Sequence, residues 1–354
     1  MKIADRLVGG GAPCFVVAEL GPNHEGQLQH AHWLIEAAAE AHADAVKFQL
    51  YRPEDLTLDR PDWRAPAPWD RHSLWDLYQR GQTPAEWLPE LFGHARELGL
   101  VPFASAFAPW AVEALERLEC PAYKVASLEI GELGLIRTMA ETGKPVILST
   151  GRATAEQIER ALWVAAFFGN AASCAQAAPV AIEHVALLHC LAAYPAKLED
   201  MNLRAIPALR ERFGVPVGLS DHSRAPLVAE LSVALGAAIL EVHLTLPKPP
   251  AEDPLDFGHS LDPQEFKDMV EGVRQAERAL GEARLGVREG ERQLDGAIRR
   301  WVWGGDYSAG ESREVCTVRS LRAPAGLPAS EHVTPGPLRR DVRAGDPVLL
   351  EDFV

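Results

Sequence analysis

The chain has 354 residues, 47% hydrophobic and 24% charged, the make-up of a globular protein rather than a disordered or fibrous one. Thirty-five basic against fifty acidic side chains leave a net charge of −15, which argues against non-specific nucleic-acid binding and sends any anionic ligand to a locally positive pocket. No apolar run approaches the roughly 18 residues of a membrane span and no basic segment precedes an apolar signal core, so the expectation is a cytoplasmic protein without a membrane partner.

Short apolar runs alternate with longer helical patterns from the start. CFVVAEL (14–20) reads as a strand, followed by a helix of about 27–42 in which Leu28, Ala31, Leu34, Ile35 and Ala38 recur at helical spacing. ADAVKFQL (43–50) is a second strand. The Pro- and Trp-rich stretch 52–70 after it is too long for a simple connection and is a candidate functional loop. Helices near 84–99, 109–118, 131–142 and 154–168 then alternate with strands at 100–104, 121–125, 144–150 and 184–190. A helix near 202–213, the strand 215–221, a helix near 224–236, the strand 237–244 and a helix near 263–280 complete the pattern.

Eight β units, each with a helical partner, in about 280 residues favour a closed (β/α)8 TIM barrel over an open doubly wound sheet. The first βα turn supports that choice, because it reads ELGPNHEG where a dinucleotide fold wants GxGxxG. The barrel domain is expected over 1–282, a charged, Gly-spaced linker over 283–299, and a small, mainly β domain over 300–354. Some 55 residues make a poor independent core, so this last domain is expected to bury Val315, Val318, Leu321, Leu327, Val348 and Leu349 against the barrel or a second subunit. The five cysteines (Cys14, Cys120, Cys174, Cys190, Cys316) are scattered and lack CxxC spacing, which suggests neither a disulfide framework nor a cysteine zinc site.

A barrel of this kind carries its site at the carboxyl ends of its strands. Polar residues recur there: Glu19, then Lys47 and Gln49, Ser105, then Lys124, Ser127 and Glu129, Ser149, His189 and Tyr194, Ser220 and His222, Glu241 and His243. Each alone reads equally well as a satisfied polar group at a strand end. Repeated at nearly every strand, they make a mouth in which two lysines and several serines suit phosphate and carboxylate oxygens. His222 and His243 close neighbouring strands, and imidazoles so placed either serve structure or share a metal.

AELGPNHEG (18–26) with ADAVKFQ (43–49) resembles the sialic acid synthase (N-acetylneuraminate synthase) family, and the likeness continues through YKVAS.E (123–129), LSTG (148–151), LLHCLAAYP (187–195), GLSDHS (218–223) and E.HLTL (241–246). SLWDLY (73–78) resembles a further family segment. GGDYSAGE (304–311) and LRRDVRAGDPVLLEDF (338–353) resemble the C-terminal antifreeze-like (SAF) domain of that family. The resemblance implies a metal-dependent condensation of phosphoenolpyruvate with an N-acetylated amino sugar such as N-acetylmannosamine, releasing phosphate. It implies that His222 and His243 hold the divalent metal, with two imidazoles favouring Mn2+ over Mg2+.

By the same resemblance Lys47, Lys124, Ser127, Ser149 and Ser220 bind phosphoenolpyruvate. Glu19, Glu129, Tyr194 and Asp256 face the sugar or the attacking water, with Glu19 as general base, and Gln49 is a substrate-binding residue. Arg322 matches an arginine that reaches the partner's sugar site in a domain-swapped homodimer. The chain departs from the family pattern at Ala106, Ala192, Val242 and Phe257, and the alternative is a catalytically weakened homologue that binds a sugar or sugar acid.

Overall fold

Strands made almost wholly of apolar residues need cover on both faces, which parallel strands wrapped in helices provide. In the computed structural model, which describes residues 1–169, 183–247, 254–312, 316–332 and 336–353, eight such strands close into a parallel barrel. They are β1 (Phe15–Glu19), β2 (Ala45–Leu50), β3 (Val101–Ala106), β4 (Tyr123–Val125), β5 (Val146–Ser149), β6 (Val185–Cys190), β7 (Val217–Asp221) and β8 (Ile239–His243). Each pairs with its neighbour in sequence, and β8 closes the ring on β1. The TIM barrel expected from the sequence is therefore present.

Eight helices alternate with these strands: α1 (Leu28–Glu40), α2 (Leu88–Glu97), α3 (Pro109–Arg117), α4 (Leu133–Ala140), α5 (Ala155–Gly169), α6 (Ala205–Phe213), α7 (Pro226–Ala234) and α8 (Pro263–Leu280). On α1, His30, Ala31, Leu34, Ile35 and Ala38 form the buried face. Pro begins α3, α7 and α8, where its missing N–H costs nothing. At α8 the Asp262 carboxylate also accepts from Glu265 N at 2.8 Å while Glu265 returns a bond to Asp262 N, a reciprocal cap that ends the preceding loop.

Some elements were not anticipated, among them a one-turn helix, Pro53–Leu56, in the candidate functional loop. Lys2–Ile3 and Arg6–Leu7 pair as a short antiparallel ladder ahead of the barrel. Within the long segment after β2, Leu74–Gly81 forms a helix whose N-cap Ser73 accepts from Asp76 N at 3.0 Å.

The register sets the arrangement of the mouth. Glu19 lies between His243 of β8 and Lys47 of β2, Gln49 pairs with Ser105, and Ser105 pairs with Lys124. Because side chains alternate along a strand, Lys47 and Gln49 share the inner face, as do Glu241 and His243. Val242, between the last two, is 3% exposed and belongs to the apolar core, as does Ala106 at 1%. These two departures from the family pattern therefore lie away from the mouth.

The chain divides into two compact units, Met1–Gly281 and Glu282–Val354. The second has a core of its own, Trp303, Cys316, Leu338, Val342 and Val348, with Val318 and Leu327 packed against it. Leu321 is exposed. Arg299–Trp303 and Val318–Arg322 pair antiparallel, and Asp352, fully buried, accepts from Trp303 Nε1 at 3.2 Å and from Arg340 Nε at 2.7 Å. Cys174 and Val315 lie outside the described residues. The other four cysteines are buried, and no helix among the described residues is long and apolar enough to cross a membrane.

Gly218 lets β7 approach β8 closely, since a Cβ there would collide with the carbonyl oxygen of Ile239 and lie 2.8 Å from both Ile239 Cβ and Leu188 Cδ2. Gly218→Ala is expected to cost about 3 kcal/mol, the upper end of overpacking penalties. A fall in the urea midpoint at unchanged m-value would show it, and an unchanged midpoint would mean the strands can spread.

Candidate active site

The strand ends enclose a cavity of about 510 Å³. Eleven of the thirteen residues given a role by the family resemblance line it: Glu19, Lys47, Gln49, Lys124, Ser127, Ser149, Tyr194, Ser220, His222, His243 and Asp256, joined by Ser105 and Glu241 from the strand ends. Glu129 does not. It sits on the turn Ser127–Glu129 just past β4, beside the wall, where burial lifts its carboxyl to about 7. Arg322 lies in the second unit at the end of its strand, exposed. His189 also turns from the cavity, with Nε2 2.7 Å from Met201 O.

Buried charge organises the floor. Lys47 Nζ is ion-paired with Glu19 Oε2, lies 3.7 Å from Glu241 Oε1 and donates to Ser105 Oγ at 3.1 Å. Lys124 Nζ lies 3.6 Å from the same Glu241 oxygen, and Ser220 Oγ donates to it at 3.1 Å. Gln49 Nε2 donates to Glu19 Oε1 at 2.7 Å and fixes that carboxylate. Burial works against the charge on Lys47, but Glu19 and Glu241 outweigh it and hold the ammonium above its usual pKa. Lys124 goes the other way: burial, aided by repulsion from Lys47, pulls it down. Burial would raise Glu241, yet Lys124 and Lys47 overcome this and hold it down at about 2.

Two groups in this floor have capacity to spare. The Ser149 hydroxyl and Glu241 Oε2 are buried with no hydrogen-bond partner. A serine donor without an acceptor, facing a cavity beside two ammonium groups, is suited to an anionic oxygen.

The histidines lie on one side. His222 Nδ1 is 3.0 Å from the Leu191 carbonyl oxygen, which can only accept, so Nδ1 carries the proton and Nε2 keeps its lone pair. Burial, reinforced by His243, pushes the His222 pKa down to about 3. The two rings are 5.2 Å apart between centroids. Burial opposes a charge on His243, and Asp256, 3.3 Å away, more than offsets it and raises the pKa. Asp256 itself is held well below the usual carboxylate range by His259 and His243 despite burial. A neutral imidazole with a free lone pair and a carboxylate that favours positive charge beside a second imidazole fit a divalent cation. Among the described residues, the one tight cluster of potential metal-binding atoms is His243, Asp256 and His259, all within 4.8 Å of one another.

The outer wall is aromatic and aliphatic. Trp69 from the long loop donates Nε1 to Leu255 O at 2.6 Å and packs on Tyr194, whose ring lies 4.4 Å from that of His222. Tyr51, Leu77, Tyr78 and Phe107 continue this wall, and Arg152 stands exposed at the rim. Sequence reasoning did not single out these residues or His259. Trp69 had a signal in the long Trp-bearing loop, whereas His259 had none, because only the turn Phe257–His259 brings it under Asp256. Of the departures from the family pattern, Ala192 alone faces the cavity, while Phe257 lies beneath the Arg224 guanidinium at 5.9 Å.

Glu241 is ionised in the folded protein far more readily than a free side chain. Its contribution to stability is therefore complete above the ordinary value of 4.5 and is lost as pH falls toward about 2. Glu241→Gln is expected to cost about 3 kcal/mol near neutrality, as removal of one partner of a buried ion pair does. The gap from the parent should narrow steadily as urea titrations move from pH 4.5 to 2. A gap constant with pH would remove the ionic role.

Residues 34–284 match the NeuB family. The chain is 39% identical over 320 residues to the pseudaminic acid synthase of Helicobacter pylori, covering 89% of this chain and 90% of that one. It is 37% identical over 344 residues to the pseudaminic acid synthase of Campylobacter jejuni subsp. jejuni serotype O:23/36 (strain 81-176), covering 96% of each. The crystal structure of the N-acetylneuraminic acid synthetase of Leptospira borgpetersenii superposes with a TM-score of 0.71 at 29% identity, over 83% of this chain and 94% of that one. With this match along most of its length and the same barrel beneath it, the chain belongs to the NeuB family.

Proposed function

We propose that the chain is a nonulosonic acid synthase that joins phosphoenolpyruvate to an N-acetylated amino sugar and releases phosphate. The observation that carries this reading is the cavity floor, where two buried lysines and the unpartnered Ser149 hydroxyl offer a dry, positive seat for a phosphorylated carboxylic acid. The relatives named for pseudaminic acid make its amino-sugar precursor the first substrate to test. The sialic acid precursor N-acetylmannosamine is the second.

In this reading the methylene carbon of phosphoenolpyruvate bonds to the sugar's aldehyde carbon, water adds at the neighbouring carbon and phosphate leaves. Lys124 and Lys47 hold the substrate's anionic groups and are fixed in place before it arrives, so they need no reorganisation as charge shifts. Ser127, Ser149 and Ser220 orient its oxygens. Glu19, held between Gln49 and Lys47, is the base for the attacking water. Tyr194 and Trp69 stack against the sugar. A divalent cation, held by His222, His243 and Asp256, would supply Lewis-acid polarisation of the aldehyde, and imidazole donors favour Mn2+ over Mg2+ there.

The second unit, read as the SAF domain of the family, would lend Arg322 to a partner's cavity in a homodimer. Light scattering that shows an active monomer would count against this.

Three results are expected. Phosphate release from phosphoenolpyruvate should require an amino sugar and stop with chelator, returning with Mn2+ more than with Mg2+. Lys124→Met should lower kcat/KM for phosphoenolpyruvate by roughly 10- to 150-fold, the loss of one charge-assisted contact of about 1.5–3 kcal/mol. If no sugar supports phosphate release, yet one raises the melting temperature, the chain is instead a sugar-binding homologue, a reading for which Ala192 on the cavity wall is the motive.

A further inference from the structure

The loop after β8 carries an arrangement that the two-histidine expectation does not use. His259, 2% exposed, places Nε2 3.6 Å from Asp256 Oδ2, and His243 Nδ1 approaches the same oxygen to 3.3 Å. Neither contact has hydrogen-bond geometry, and both ring nitrogens are buried with no hydrogen-bond partner beyond this electrostatic contact with Asp256. A buried imidazole nitrogen left without a hydrogen bond is costly, and two of them turned toward one carboxylate mark a place for an ion. Here three potential donors, two nitrogens and one oxygen, converge within 4.8 Å.

The set is held firmly. Ser260 Oγ donates to Asp256 O at 2.7 Å, Asn23 Nδ2 donates to Ser260 Oγ at 3.0 Å and to Leu244 O at 2.9 Å, and Leu261 N donates to His243 O at 2.9 Å. The turn bearing His259 is thereby tied to the end of β8, so the donors are positioned before any ligand arrives. The Trp69 and Tyr194 rings, with centroids 6.1 and 4.8 Å from that of His259, cover the imidazole.

We propose that His259 is a direct ligand of the divalent cation, completing a His243–Asp256–His259 donor set beside His222. This rests on the metal-dependent reading above and adds a nitrogen ligand to it. Two imidazoles and one carboxylate make a site for a transition metal rather than for Mg2+, and Asp256 supplies the negative charge that a set of neutral imidazoles lacks.

Pulsed electron paramagnetic resonance of the Mn2+-loaded protein counts the nitrogens bound to the metal, and it can be paired with Mn2+ titration of the metal-free protein. In His259→Asn the count should fall by one, and Mn2+ affinity should fall by at least about tenfold. Thermal melting of the metal-free variant checks that it folds. The count in the parent protein needs no variant, and fewer than three directly bound nitrogens there overturns the proposal. Weaker binding in His259→Asn with an unchanged count makes His259 a positioning residue acting through Asp256, and also overturns it. The synthase reading is judged separately by sugar-dependent phosphate release. A parent protein that binds Mn2+ with a count unaffected by His259 leaves that reading standing, whereas no Mn2+ binding at all removes both metal assignments.

Discussion

The barrel's functional end depends on Glu241. Its Oε1 is shared by Lys47, Lys124 and Ser220, which arrive on three different strands. Two ammonium groups buried this close would repel each other and shed protons; the carboxylate between them keeps them together. Burying an ion pair is expensive, so the arrangement is better explained by the site it builds than by stability. The remaining floor is arranged around it, with Glu19 on the far side of Lys47 and Ser105 beneath.

Much of this was legible in the sequence because strand alternation is simple. Lys47 and Gln49, like Glu241 and His243, are two residues apart on one strand and so share a face. The same rule explains why Val242 matters little to the cavity, although it interrupts the family's pattern between two site residues. Neighbour-to-neighbour strand order then turns eight separate strand ends into one ring.

What sequence reasoning missed came from segments without a period. His259 meets Asp256 through a turn held by Asn23 and Ser260, a contact that neither spacing nor propensity encodes. The helix Leu74–Gly81 is short and lies inside a loop rich in Pro and Trp, and its Ser73 cap was the only local sign. The second unit was judged too small for its own core. It has one, built on Trp303, the largest fully buried side chain, which finds a hydrogen-bond partner in buried Asp352.

The charges of the floor nearly cancel before any substrate enters: two lysines face Glu19 and Glu241, with Asp256 close by. A ligand carrying several negative charges cannot join this set alone without leaving uncompensated charge in a low-dielectric space. Its arrival must be accompanied by a cation, by proton uptake on a neighbouring carboxylate, or by both. A cation in the histidine cluster would supply that compensation, and its binding and the anion's would then be thermodynamically linked, each raising the affinity of the other by the same factor.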